Sequence, residues 1–194
     1  MTPQGKRALW RRGILATALV LALAGGFWFG IRGPDNLHIV QEGVVYRSAQ
    51  MDADTLRRTI EDKGIKSVLN LRGEKPDSQW YKKETGVVQA LGVQHLSHKL
   101  SALEEVPTGE LEEILAVMDR APKPLLVHCE GGSDRTGLVV AAWAFSRQHQ
   151  QPEAAHEQLA LRYGHFPYLW SSTDAMDRSF WNYVRQAGTG AQQP

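Results

Sequence analysis

Short apolar runs rich in branched residues alternate with segments of helical pattern, and this alternation constrains the fold more than any other feature of the chain. IKSVLNL at 65–71 and PLLVH at 124–128 are typical of buried strands. DADTLRRTIEDK at 52–63, which begins on an aspartate and is followed by Gly64, is typical of a helix. Strands that alternate with helices predict an α/β fold with a mostly parallel central sheet flanked by helices.

The other segments extend this pattern. Two apolar runs on either side of Gln41-Glu42-Gly43 predict a hairpin, and VQHL at 93–96 predicts a further strand. Further helices are predicted over 77–91, 107–118, 136–149, 153–163 and 173–186. Residues 34–187 are therefore expected to form one domain, and 188–194 a flexible tail.

One stretch, HCEGGSDRTG at 128–137, lies where the 124–128 strand passes directly into a helix. It holds Cys129, the only cysteine of the chain, so no internal disulfide can form. Ligands of open α/β sheets bind beyond the carboxyl ends of the strands. The position of this stretch therefore predicts a binding site before any of its residues is considered.

The residues of this stretch suit a tetrahedral oxyanion such as phosphate. Gly131 and Gly132 allow a sharp turn, the backbone amides can form an anion nest, and the following helix adds partial positive charge at its amino end. Arg135 offers a planar fork for two oxygens. The same positive field favours the thiolate of Cys129, a nucleophile that would form a covalent thiophosphate.

The order His-Cys-x-x-Gly-x-x-Arg-Thr-Gly resembles the signature of the cysteine-dependent protein tyrosine and dual-specificity phosphatases. VYRSAQ and IKSVLNLRGE look like bacterial members of the dual-specificity type, and the resemblance extends over residues 38–184. It implies a phosphatase fold and hydrolysis of phosphotyrosine or related phosphate esters through a phosphocysteine intermediate. It also implies that no metal and no organic cofactor takes part. A free cysteine is more often a buried structural residue, but an arginine six positions later disfavours that interpretation here.

Carried onto this sequence, the resemblance makes Cys129 the nucleophile and Arg135 the residue that holds the phosphate oxygens. His128 would fix the geometry of the cysteine, although a core histidine bonded to a backbone carbonyl describes it equally well. The hydroxyl of Thr136 can donate a hydrogen bond to the sulfur. The residues expected to bind the phosphoryl group are those of the loop: Glu130, Gly131, Gly132, Ser133, Asp134 and Arg135.

The proton donor for the leaving group departs from the family pattern. The family usually places an aspartate on a separate loop before the cysteine, and LSHKLSALEEVPTGE at 96–110 contains none. Asp134, inside the phosphate loop as in relatives of the myotubularin type, is the predicted acid, unless its carboxylate only orders the loop. Glu104 and Glu105 are the alternative, since they lie on the expected loop, and otherwise water or the substrate supplies the proton.

The variable positions of the loop also predict substrate preference. Glu130 and Asp134 are acids and none of these positions is a base, and carboxylates this close to a bound anion are poorly screened by salt. Phosphotyrosine-like aryl esters are therefore expected to be better substrates than polyphosphorylated inositols. Arg72 follows a strand and is expected near the pocket or in a structural ion pair.

Two other functions are compatible with a cysteine in a short loop of an α/β fold. A rhodanese-like sulfurtransferase cradles its catalytic cysteine in this way, but the Arg-Thr-Gly after the loop favours a phosphatase. A non-catalytic phospho-binding module is disfavoured because both Cys129 and Arg135 are present. The spacing of His95 and His98 is compatible with a metal, but no third ligand is evident. Tyr163-Gly164-His165 is expected to end a helix and to carry no chemistry.

The first 33 residues differ from the rest, because they hold five basic residues and no acid. The 19 residues from Gly13 to Ile31 carry no charge, which as a helix spans roughly 28 Å, close to the bilayer core. This predicts a single-pass transmembrane anchor over 13–31 with a cytoplasmic amino terminus and an extracytoplasmic (in a bacterium, periplasmic) catalytic domain. A signal peptide cleaved after Ala22-Leu23-Ala24 is the alternative, and it would yield a secreted or periplasmic protein.

The charge of the remaining chain excludes one class of partner. Residues 34–194 hold 17 basic and 21 acidic residues, whereas a nucleic-acid-binding surface needs a basic excess. The expected partners are therefore a phosphorylated protein or small phosphate ester, and the membrane.

Overall fold

The structure, a computed structural model, describes residues 33–168 and 171–190 together with residues 10, 14–20, 22, 25–26 and 30. The chain divides into two compact units, Met1–Pro34 and Asp35–Pro194. In the first unit, residues 14–20 are helical. No helix within the described ranges is both long and apolar enough to cross a membrane. Much of the predicted anchor over 13–31 lies outside the described residues, so the anchor stays a prediction.

The second unit is built on a five-stranded sheet. Its strands are β1 (His38–Gln41), β2 (Val45–Ser48), β3 (Ser67–Asn70), β4 (Gln94–Ser97) and β5 (Leu125–His128). Their order across the sheet is β1-β2-β5-β3-β4, with β1 antiparallel to β2 and all other neighbours parallel. The predicted mostly parallel sheet and the predicted hairpin are confirmed.

Helices cover both faces of this sheet. They are α1 (Ala53–Lys63), α2 (Gln79–Ala90), α3 (Thr108–Arg120), α4 (Asp134–Arg147), α5 (Pro152–His156) and α6 (Asp174–Gly190). The start of α1 follows from its sequence, because the Asp52 carboxylate accepts hydrogen bonds from the backbone amides of Asp54 and Thr55. Its end also follows, since Gly64 adopts the left-handed conformation with φ +61°.

The strands alternate their side chains between two apolar clusters. Leu125 and Val127 of β5 point into the larger cluster, which also contains the apolar faces of α3, α4 and α6. Leu126, between them, points into the smaller cluster with residues of α1 and α2. A strand buried on both faces reads as a continuous apolar run, and PLLV is such a run.

One predicted helix is wrong in length. A continuous helix over 153–163 was expected, but α5 ends at His156 and two short 3₁₀ turns follow, separated by Ala160 in an extended conformation. The break coincides with a distant contact, in which the backbone oxygen of Gln158 accepts a hydrogen bond from the Arg47 guanidinium at 2.7 Å.

Candidate active site

Three parallel strands end at the same level and carry polar residues there. Ser48 of β2 and Asn70 of β3 both lie opposite His128 of β5 in the sheet register. Cys129 therefore follows at the carboxyl edge of the sheet, between two neighbouring strands. This is the edge at which α/β folds bind ligands, as predicted.

The phosphate loop, residues 129–135, packs against the end of β2 at a glycine. Gly132 has a φ of +69°, and a Cβ atom built on it would lie 2.6 Å from the backbone of Ser48 and Ala49. Both the left-handed conformation and this close approach require glycine. The glycine predicted to allow the turn thus also allows the loop to lie directly on the sheet.

Backbone carbonyls of the loop are held from outside by polar groups. The amide of Gln50 donates to Glu130 O at 3.1 Å, and Asn36 Nδ2 donates to Gly131 O at 2.9 Å. A guanidinium nitrogen of Arg47 donates to Gly132 O at 2.7 Å. In a planar trans peptide the N–H points opposite to the C=O, so the next amide in each unit is directed toward the inside of the loop. Amides that point inward in this way can form the anion nest that is predicted from the sequence.

Arg47 is the buried cation beneath this loop. Its side chain is fully buried on β2, bonds to Gln158 as well as to the loop, and stacks on the ring of Tyr163 at 3.9 Å. Burial lowers the pKa of Arg47 to about 10, so the guanidinium stays charged at neutral pH. No role for Arg47 is predicted from the sequence, although a fully buried arginine in a strand is unusual.

His128 belongs to a buried polar network. Its Nδ1 lies 3.3 Å from Cys129 O, and its Nε2 lies 3.2 Å from Oε2 of Glu84, a buried residue of α2. Glu84 is also bonded to His95 and Gln50. Burial alone would raise the pKa of Glu84, but these hydrogen bonds outweigh it and hold the pKa well below its usual range. The supporting role of His128 stays a prediction, and Glu84, which lies beside it, was not predicted from the sequence.

Cys129 and Arg135 lie at the two ends of the loop, and both are largely withdrawn from solvent. Cys129 is a free thiol with 2% of its surface exposed. Arg135 donates to Leu100 O at 3.5 Å, and within the described part of the chain its buried Nε has no hydrogen-bond partner. An unpaired buried guanidinium nitrogen is costly unless a ligand supplies the acceptor.

Thr136 differs from expectation. Its hydroxyl is buried without a hydrogen-bond partner among the residues that the structure describes, so the expected bond to the Cys129 sulfur is not formed here. The hydroxyl of Ser48 is unpaired in the same way. Unpaired donors thus gather at the carboxyl edge of the sheet, next to the loop.

Asp134 is engaged by its neighbours. Its Oδ1 lies 2.7 Å from Nδ1 of the buried His165, and its Oδ2 accepts from the Ser133 hydroxyl at 3.1 Å. Nε2 of His165 lies 2.9 Å from Asp177 of α6. Burial would lower the pKa of His165, but the two carboxylates outweigh it and raise the pKa to about 9. His165, which was expected to carry no chemistry, is therefore a protonated link between the phosphate loop and α6.

The two glutamates considered as alternative acids differ in their surroundings. Glu105 pairs with Arg178 at 2.6 Å and accepts from Asn182 at 3.0 Å, so its carboxylate is bound to α6. Glu104 is exposed on the same loop. That loop begins at Leu100, the residue bonded to Arg135.

Arg72 lies at the side of the phosphate loop. Its guanidinium stacks on Trp80 at 3.8 Å and lies 3.6 Å from the Glu130 carboxylate. His95 and His98, whose spacing is compatible with a metal, pair instead with Glu84 and Glu110, respectively. Within the described ranges, no group of three or more His, Cys, Asp or Glu side chains is arranged to hold a metal ion.

Comparison of the sequence with known families gives one match. The family described as DSP-PTPase phosphatase fused to NAD+ kinase matches residues 32–169, which is most of the chain. No curated protein sequence matches the chain.

Solved structures share the fold of this chain. TpbA from P. aeruginosa is 26% identical over 74% of this chain and 80% of its own, with a TM-score of 0.56. Its Cys-to-Ser variant, solved in complex with pTyr, is 23% identical over 77% and 91% of the two chains, with a TM-score of 0.58. The core catalytic domain of the PP-IP phosphatase SIW14 from S. cerevisiae is 21% identical over 81% and 93%, with a TM-score of 0.59.

Proposed function

The chain belongs to the DSP-PTPase family of cysteine-dependent phosphatases, and we propose that its preferred substrates are aryl phosphate esters, phosphotyrosine above all. The observation that carries this proposal is the buried Nε of Arg135, which has no hydrogen-bond partner among the described residues and lies on the loop that also holds the free thiol of Cys129. A phosphoryl group supplies the acceptor that this nitrogen lacks. The structure of a TpbA variant with pTyr bound supports the choice of substrate.

The reaction then proceeds in two displacements. The thiolate of Cys129 attacks phosphorus, the S–P bond forms, and the bond from phosphorus to the leaving oxygen breaks as that oxygen takes a proton. Water next attacks phosphorus, the S–P bond breaks, and inorganic phosphate leaves. The inward amides of the loop and the Arg135 guanidinium stabilise the charge on the equatorial oxygens in both steps.

The proton donor is part of the proposal. Both oxygens of Asp134 are engaged, Oδ1 with His165 and Oδ2 with the Ser133 hydroxyl, so we assign Asp134 to holding the loop against His165. Glu105 is bound to Arg178, so we propose as the acid Glu104, which is exposed on the same loop. Asp134 as the acid stays a prediction from the sequence, and the two assignments differ in a measurable way.

Leaving-group dependence separates a proton donor from a loop-holding residue. We expect Glu104→Gln to lower kcat for an alkyl phosphate by about 10²-fold and to affect a p-nitrophenyl ester far less, because a good leaving group needs no proton. We expect Asp134→Asn to lower kcat for both esters by a similar factor. Steady-state kinetics of the full chain measure both. A selective loss of the alkyl substrate in Asp134→Asn alone would restore Asp134 as the acid.

The substrate class is tested by direct comparison. We expect kcat/KM for a phosphotyrosine peptide to exceed that for a soluble phosphoinositide, because the variable positions of the loop include two acids, Glu130 and Asp134, and no base. Thiosulfate:cyanide sulfurtransfer serves as the control and is expected to be absent. A tenfold preference for the phosphoinositide, about 1.4 kcal/mol in transition-state binding, would overturn the proposed substrate class.

We also propose that residues 13–31 attach the protein to a membrane, with the catalytic unit outside the cytoplasm. The support is the uncharged run and the four basic residues before it, Lys6, Arg7, Arg11 and Arg12. Mass spectrometry of the mature amino terminus in membrane and soluble fractions is expected to find the uncleaved chain in membranes. A terminus near Gly25 in the soluble fraction would replace the anchor by a signal peptide.

A further inference from the structure

Arg72 lies beside the first variable position of the phosphate loop. Strands β3 and β5 are neighbours with Asn70 opposite His128, and the amide of Leu71 donates to His128 O at 2.8 Å. Two residues beyond each member of the Asn70–His128 pair stand Arg72 and Glu130. The order of the strands therefore places the basic residue Arg72 next to the loop proposed to bind the phosphoryl group.

The guanidinium of Arg72 is held in place by its surroundings. It stacks on the Trp80 ring at 3.8 Å and donates to Gln50 Oε1 at 3.3 Å, and its side chain keeps 17% of its surface exposed. Stacking on an aromatic ring fixes the plane of the guanidinium while its edge stays available for an anion. A cation fixed before binding loses little conformational entropy when it takes up a ligand.

The anion now beside Arg72 is weakly held. The Glu130 carboxylate is 3.6 Å from the guanidinium, beyond hydrogen-bond distance, and 71% of its side chain is exposed. A solvent-exposed ion pair of this kind contributes little to stability. Another carboxylate can therefore take its place at little cost.

A second basic residue, Lys99, pairs with Arg72 along the backbone. Arg72 and Lys99 form an isolated antiparallel bridge, and the backbones are so close that a Cβ on Gly73 would lie 2.6 Å from Lys99 Cβ. Lys99 is exposed, and the next residue, Leu100, accepts the hydrogen bond from Arg135. Two basic residues are thus neighbours in the backbone next to the acidic residues of the loop.

We propose that Arg72, held on Trp80, is a specificity-determining residue that binds the carboxylate of an acidic residue next to the phosphotyrosine of a peptide substrate. This rests on the proposed function. The substrate carboxylate replaces that of Glu130, so the exchange conserves charge at Arg72. A second phosphate, with its greater charge, would still meet the displaced Glu130 carboxylate nearby. A single flanking carboxylate is therefore the better match to this site.

The test compares two phosphotyrosine peptides that differ only by Glu or Gln beside the phosphotyrosine. We expect the full chain to prefer the acidic peptide in kcat/KM by roughly threefold or more, the strength of one favourable ion pair. Arg72→Gln is expected to reduce this ratio to about one, and Glu130→Gln to increase it. The ratio cancels any general loss of activity, so a merely structural role of Arg72 would leave it unchanged.

A matched control removes one positive charge elsewhere. Arg120 ends α3 and lines a cavity with Gln94, the first residue of β4, at the opposite edge of the sheet. Arg120→Gln is expected to leave the ratio unchanged. The inference is overturned if the wild type shows no preference, if Arg72→Gln keeps it, or if that variant loses the soluble phosphoinositide more than the acidic peptide. Absence of turnover on both peptides would instead contradict the proposed function.

Discussion

Replacement of Cys129 by serine is expected to reduce kcat for an aryl phosphate by roughly 10⁴-fold or more, because loss of a nucleophile removes the covalent pathway. Serine keeps the size of the side chain and lies in a position with 2% exposure, so the fold should tolerate it. The unfolded fraction is expected to change little, since the cysteine forms no disulfide. Steady-state kinetics and thermal unfolding of the same preparation give both quantities.

The control for this variant is a similarly small change away from the phosphate loop. Ser146, on α4, donates to Ala142 O, and Ser146→Ala removes a hydroxyl from the same helix that follows the loop. It is expected to keep most of the activity. A Cys129→Ser protein that retains more than a few per cent of the wild-type kcat would mean that the thiol is not the nucleophile.

Replacement of Arg135 by lysine is expected to lower kcat/KM by about 10²- to 10³-fold, the cost of removing one group that stabilises charge in the transition state. Lysine keeps the positive charge, but a point charge cannot present the planar pair of donors that matches two phosphate oxygens. Since the Nε of Arg135 has no partner within the described part of the chain, its removal breaks no hydrogen bond of that nitrogen in the free protein. The bond from the guanidinium to Leu100 O is long, at 3.5 Å, so its loss should change thermal stability much less than catalysis.

A comparison of two arginines makes this prediction sharper. Arg47→Lys disturbs a buried cation with hydrogen bonds to Gln158 and Gly132, so it is expected to lower the melting temperature as well as the activity. Arg135→Lys with unchanged stability and near wild-type activity would contradict the assigned role. The two variants thus distinguish a residue that binds the phosphoryl group from one that supports the loop.

Local chemistry made much of this site predictable. The glycines, Cys129 and Arg135 are within seven consecutive residues, so their spacing alone implies a turn that surrounds an anion. The elements around it were predictable for the same reason, since Asp52 and Gly64, directly before and after α1, carry the signals for its start and its end. Features decided by neighbours in sequence are those that a single sequence can give.

The supporting residues were not predictable, because they reach the loop from distant parts of the chain. Arg47 meets Gln158 across 111 positions, Asn36 meets Gly131 across 95, and His165 meets Asp134 across 31. No periodicity or spacing records such pairs. The long-range bond from Arg47 meets the chain at Gln158, within the segment where the helix predicted over 153–163 is broken.

The acids of the loop have basic neighbours that the sequence alone does not reveal. Glu130 and Asp134 are expected to repel highly charged anions, and the structure adds Arg72 beside Glu130 and His165 beside Asp134. Arg72 lies two residues beyond β3, and His165 lies in the segment before α6. The field at the phosphate depends on all four groups, and their positions follow from the sheet order.

The central claim is a phosphocysteine on Cys129, and acid quenching during turnover tests it most directly. The full chain is mixed with excess p-nitrophenyl phosphate, quenched within the first turnovers, digested and analysed by mass spectrometry. If the reaction passes through a phosphocysteine, the peptide that contains Cys129 gains the mass of one phosphoryl group, and p-nitrophenol is released in a burst. Phosphate release that proceeds at the wild-type rate after alkylation of Cys129, with no phosphoryl group on that peptide, would contradict it.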